Sequence, residues 1–154
     1  MQSPCVTMLA VSALCVASQA APQGDAVKAE LARLAGTWQV IGHETDGKPT
    51  GEDHWRKVQF VFKGDRLTFR GDDILTKKVA EIRLTIDPST SPPVIDLKVV
   101  AGEFKGVTLE GVYEIKDDVL RICFRNEEAK NRPLDFSTKT GANLVLFVLK
   151  QHKE

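Results

Sequence analysis

Over most of its length the chain changes side-chain character at every second residue, the period that an antiparallel sheet with one buried face requires. Trp38 and Val40 alternate with Gln39, Ile41 and His43; Phe60 and Phe62 with Gln59 and Lys63; Leu67 and Phe69 with Arg66, Thr68 and Arg70. Ala80, Ile82, Leu84 and Ile86 then face away from Glu81, Arg83 and Thr85 in a strand expected over 79–86, and the next is expected over 94–100. Leu109, Gly111, Tyr113 and Ile115 share one face, and Leu120, Ile122 and Phe124 alternate with Arg121, Cys123 and Arg125. The last strand, 143–150, is almost continuously apolar, as suits a strand covered on both faces.

Turn chemistry separates these segments. Asp46-Gly47-Lys48-Pro49, Gly64-Asp65, Gly71-Asp72-Asp73 and Asp117-Asp118 supply residues that tolerate tight turns, and the proline-rich run from Asp87 to Pro93 cannot sit inside a strand. Eight consecutive strands with short links predict an all-β, eight-stranded antiparallel up-and-down barrel, because closure removes the exposed edges. A two-sheet sandwich with Greek-key crossings needs longer connections than most of these. Before the first strand, Asp25 can cap a short helix that carries Val27, Leu31 and Leu34 on one face, and Gly36 ends it.

Residues 1–20 carry no charge, and their apolar middle is too short to span a membrane. They read as a secretory signal with Ser18 and Ala20 before the cleavage point, giving a chain that starts at Ala21 and is periplasmic or extracellular. The rival is lipidation at Cys15, where Leu14 stands in place of the small residue that such a signal prefers. The rest divides into a linker and helix (21–35), a barrel domain (36–150) and a short tail (151–154). All 21 basic and 21 acidic residues follow the signal and are interspersed, which argues against nucleic acid or a polybasic membrane surface as partner. Cys123 alone remains after cleavage, so the domain has no internal disulfide, and a monomer is expected.

Gly36-Thr37-Trp38 resembles the Gly-x-Trp signature at the first strand of lipocalins and the wider calycin group. Leu34-Ala35, Asp46-Gly47-Lys48, Phe62-Lys63-Gly64-Asp65, Ile95-Asp96-Leu97 and Gly111-Val112-Tyr113 extend the likeness. So do Leu120-Arg121-Ile122-Cys123-Phe124, Arg132-Pro133 with Phe136, and Leu149-Lys150. Together, over about 31–150, they resemble the uncharacterised lipocalin-like domain expanded in planctomycete bacteria. That resemblance implies a small exported barrel and brings no catalytic residue or cofactor. In lipocalins an arginine near the last strand packs across the signature tryptophan; here Lys150 is the substitute. Gly36, Trp38 and Lys150 are therefore the expected structural signature, with Trp38 sealing the helix end of the barrel.

The chemistry-bearing residues give no reaction. His43, His54 and His152 lack the spacing of a zinc site, and a metal held by His43, Glu44, Asp46, Asp53 and His54 is a weaker reading than a solvated rim loop. The acidic pairs fall in turns, and no nucleophile motif or phosphate loop is present. Cys123 is expected to point outward between Arg121 and Arg125, where a favoured thiolate with a redox or disulfide-linked-dimer role is a weaker reading than a small residue packed beneath a loop or the helix.

Phe60, Phe62, Leu67, Phe69, Ile82, Leu84 and their partners make an inward face without charge. An eight-stranded barrel is either filled or holds one small ligand, and these large residues on short strands favour at most a small cavity. The leading expectation is non-enzymatic binding of a small apolar molecule by Phe60, Phe69, Leu84 and Tyr113. The alternative is a filled barrel that meets a protein partner through the rim loops 45–55 and 126–140. Trp55 discriminates: exposed, it anchors a contact surface; buried, it is a lid.

Overall fold

The structure, a computed structural model, describes residues 23–127, 129 and 131–153; the expected signal, its cleavage point and Cys15 lie outside them. The chain runs α1 (Gln23–Leu34), β1 (Gly36–Thr45), β2 (Lys48–Pro49), α2 (Glu52–Trp55), β3 (Gln59–Lys63), β4 (Arg66–Arg70) and α3 (Asp73–Lys78). It continues as β5 (Glu81–Asp87), β6 (Val94–Ala101), β7 (Thr108–Lys116), β8 (Val119–Arg125) and β9 (Leu144–Gln151). Every strand pairs antiparallel with its neighbour, and β9 returns to β1, so eight strands close into a barrel while β2 only extends the hairpin after β1. The β1–β9 ladder is what excludes the sandwich.

α1, the turns after β3 and β7 and the 88–93 loop gather at one end; α2, α3, the 102–107 connection and the 126–143 loop gather at the other. Gly36 makes the tight passage from α1 into β1 with φ of +119°, a conformation that a side chain would strain. Two residues later Trp38 is buried to 1% exposure, and its indole Nε1 donates to the Leu34 carbonyl at 2.7 Å. α1 is fastened across that end by Glu30, whose carboxylate accepts from the Tyr113 hydroxyl at 3.1 Å and from Arg33 at 2.5 Å. A large ring at the mouth of the first strand therefore closes the end on which the helix lies.

Lys150 does not reach that ring. It is the register partner of Gln39, so the two side chains share the outer face while Trp38 points inward. Its ammonium instead lies 3.9 Å from the Asp118 carboxylate, and among the described residues no cation sits over the Trp38 indole.

The inward faces form one core from Leu34 and Trp38 through Phe60, Leu67, Ile82, Leu97, Tyr113 and Ile122 to Leu149. A second, smaller core lies outside the barrel: Val112, Cys123, Leu144 and Leu146 are covered by Phe136 and Ala142 of the 126–143 loop. This explains why β9 is apolar on both faces. Arg132 holds the loop down, donating to the Gly111 carbonyl at 2.9 Å and pairing with Asp96 at 2.7 Å.

Two boundaries differ from the period-two reading. Gly71-Asp72-Asp73 is the start of α3 rather than a bare turn: Asp72 caps the helix, its carboxylate accepting from the Leu75 amide at 2.7 Å. Gly71 allows this because a Cβ there would sit 1.7 Å from the Lys57 carbonyl oxygen. β5 consequently begins at Glu81, and Val79 ends the helix instead of starting the strand.

Candidate functional site

The half of the barrel beneath α2 and α3 is not completely filled. A cavity of about 100 Å³ lies among Phe60, Leu67, Phe69, Ile82, Leu97 and Val99, closed further by Leu109, Phe124 and Phe147 from the strands and by Leu75 and Val79 from α3. Every described residue of its wall is apolar. Phe60 and Phe69, two of the four expected ligand contacts, meet edge to face at 4.8 Å on this wall. Leu84 is buried in the same core but is not part of the wall, and Tyr113 belongs to the opposite end, with its hydroxyl committed to Glu30. Burial first, then the neighbouring Glu30 charge, raises the Tyr113 pKa above its usual value, so the hydroxyl remains a donor.

Sequence reasoning placed His43 on the outer face, and the structure turns it inward. The β1–β9 register shifts between Val40 and Gly42, and this bulge adds one residue to the alternation. Ile41 is left outside at 51% exposure while His43, opposite Phe147, joins the interior. Its ring stacks on Trp55 with centroids 4.4 Å apart and tilts against Phe147 at 4.5 Å, and its Nδ1 shares a hydrogen bond with the Thr50 hydroxyl. Burial is the main reason that its pKa falls to about 4, with His54 lowering it further and Thr50 opposing. His43 is a neutral imidazole at pH 7, not a solvated rim residue. A Gly42 that interrupts an otherwise bulky strand was the available signal.

Trp55 is half-buried over His43 and Phe147, the latter with centroids 4.9 Å apart, so it is a lid rather than a projecting anchor. The two lid helices are joined: His54 Nε2 of α2 lies 2.9 Å from the carboxylate of Asp72, which caps α3. α3 in turn is tied to the 102–107 connection, where the amides of Glu103 and Phe104 donate to the carbonyls of Lys77 and Lys78 at 3.3 and 2.9 Å. Leu75 and Val79 are wall residues that the strand pattern missed, because six helical residues are too few to display a helical period.

Cys123 points out of the barrel and is fully buried under the 126–143 loop, as the packed reading expects. Burial, with Asp135 and Glu44 adding to it, pushes the thiol up to about 12, so the flanking arginines do not produce a thiolate. Arg121 and Arg125 are occupied by Glu114 and Glu110 respectively. Among the described residues no three His, Cys, Asp or Glu side chains converge as a metal site would require, and no helix is long and apolar enough to cross a membrane. His54 is engaged with Asp72, and Glu44 accepts from Thr138 at 2.8 Å, so the residues once grouped as metal ligands face different partners.

No family model, curated protein or solved structure matches this chain.

Proposed function

We propose that this chain is an exported, lipocalin-like module that binds a small apolar molecule inside the barrel without transforming it. The observation that carries this reading is the cavity wall: a partly open space in the half of the barrel under α2 and α3, whose described lining side chains are all apolar. Such a space does not hold water well, because water there would forfeit its hydrogen bonds, whereas hydrocarbon or a noble gas fills it without that cost. His43, a base in this half of the barrel, is stacked between Trp55 and Phe147 and bonded to Thr50. The likeness to the planctomycete lipocalin-like domain and the uncharged leader favour export.

Native mass spectrometry of protein taken from its own host tests the reading. Wild-type chain beginning at Ala21 should carry added mass from a small apolar molecule. Val99→Phe, which pushes a ring into the cavity, should lose that mass while keeping its unfolding midpoint close to wild type. Bare mass in the wild type, together with a loss of roughly 1–3 kcal/mol in Val99→Phe from overpacking, would favour the filled-barrel alternative. In that alternative the contact surface would centre on Leu134 of the 126–143 loop, which is 87% exposed.

A further inference from the structure

The cavity has a built entrance on one side of the barrel mouth. α2 with Trp55 covers the side next to Phe147, and α3 covers the side next to Leu67 and Phe69. The third side, between the 102–107 connection and the end of β8, carries no helix among the described residues. There a surface groove of about 290 Å³ is lined by Val79, Phe104, Val107 and Leu109 on one bank and by Phe124, Asn126 and Glu127 on the other. Val79, Val99, Leu109 and Phe124 line both the groove and the cavity, so the two spaces are neighbours that share these side chains. Phe104 stands at the lip, 49% exposed, with the Lys78 ammonium 6.0 Å above its ring.

Shape and polarity then select a class of ligand. The inner space is smaller than the roughly 150 Å³ apolar cavity that admits a benzene ring, so it suits a segment of chain better than a ring. Its wall has no polar side chain, so a hydroxyl or charge placed there would go unpaired, at a cost that excludes it. Among the described lining residues the polar side chains, Asn126 and Glu127, stand at the outer end, in the groove.

Resting on the binding function proposed above, we infer that the ligand is an unbranched alkyl chain with a polar end. It enters tail-first between the 102–107 connection and the end of β8, and its polar end stays beside Asn126 and Glu127. The barrel end under Trp55 is not the route. Among the described residues that line the groove, Glu127 is the charged one, and its carboxylate makes a second carboxylate a poorer polar end than an alcohol.

The test uses 1-octanol, octanoate, cyclohexylmethanol and xenon on the full folded chain, followed by calorimetry and by methyl NMR. In the wild type, 1-octanol should bind more tightly than cyclohexylmethanol and octanoate, and should shift the methyl signals of Val79, Val107 and Leu109. Val107→Trp, which narrows the groove at its lip, should weaken 1-octanol by roughly tenfold or more. Xenon, small enough to reach the inner space without the groove being open, should still shift the Val99 and Leu97 methyls in that variant and shows that its barrel is intact. Glu127→Gln should bring octanoate closer to 1-octanol. Equal 1-octanol affinity in wild type and Val107→Trp overturns the route, and cyclohexylmethanol binding as tightly as 1-octanol overturns the chain-shaped ligand. If wild type takes up neither 1-octanol nor xenon, the binding function itself fails and the entrance falls with it.

Discussion

His43 is kept neutral by its place between Trp55 and Phe147, and that placement has a pH signature. Its folded pKa, about 4, lies below the ordinary histidine value of 6.5, so the unfolded chain binds the proton more readily. The stabilising contribution is fully present above pH 6.5 and is lost as the pH falls from there through 4. Because the ring is only partly buried, the expected loss is on the order of 1 kcal/mol. Urea midpoints at pH 7 and pH 4.5 check this, and His43→Phe should flatten the difference; an equal difference in the variant would assign it to other groups. Trp38 and Lys150 make a second contrast at this scale. Trp38→Ala removes a buried ring and its bond to Leu34, and should cost roughly 3–5 kcal/mol. Lys150→Ala removes only an exposed, 3.9 Å contact with Asp118 and should fall within about 0.5 kcal/mol of wild type. A large effect from Lys150→Ala in denaturation would mean that it does latch the indole. Trp38 was legible in sequence because a glycine, a large ring and a preceding apolar helix are local facts. The inward turn of His43 was not, because a one-residue bulge is set by the partner strand β9 and leaves the residue order of β1 unchanged.

At the scale of elements, α3 is the most instructive. It contributes Leu75 and Val79 to the cavity wall, leaves Ile74 65% exposed, and is held by its cap, by the His54 contact and by two amides of the 102–107 connection. Asp72→Ala removes the cap and the partner of His54 together. It should cost about 1–2 kcal/mol and speed hydrogen exchange at the Leu75 and Thr76 amides more than at the strands. Uniform protection in the variant would mean that the cap does not hold the lid. The strands themselves could be read from their alternation, and the almost continuously apolar β9 rightly implied cover on both faces. What the alternation could not show was which element supplies that cover: Phe136 and Ala142 reach it from an irregular loop whose sequence has no period. Asp72 was the one readable mark of α3, a capping residue three positions before Leu75, and it was masked by turn chemistry of the same composition.

For the whole molecule, closure decides both the fold and the site. The β1–β9 ladder joins the ends of the sheet, Trp38 and α1 seal one end, and α2 and α3 partly roof the other. Closure of an all-β chain with eight short, consecutive strands follows from sequence, since open edges are costly. The location of the unfilled space does not, because it depends on how Phe60, Phe69, Phe124 and Phe147 interlock near the lids, a matter of packing between residues far apart in the chain. The most direct measurement is a crystal structure under xenon pressure. A xenon atom should occupy the space enclosed by Phe60, Leu97, Val99 and Phe147, with the strands unmoved. Side chains filling that space, with no xenon inside the barrel, would contradict the binding function at its root.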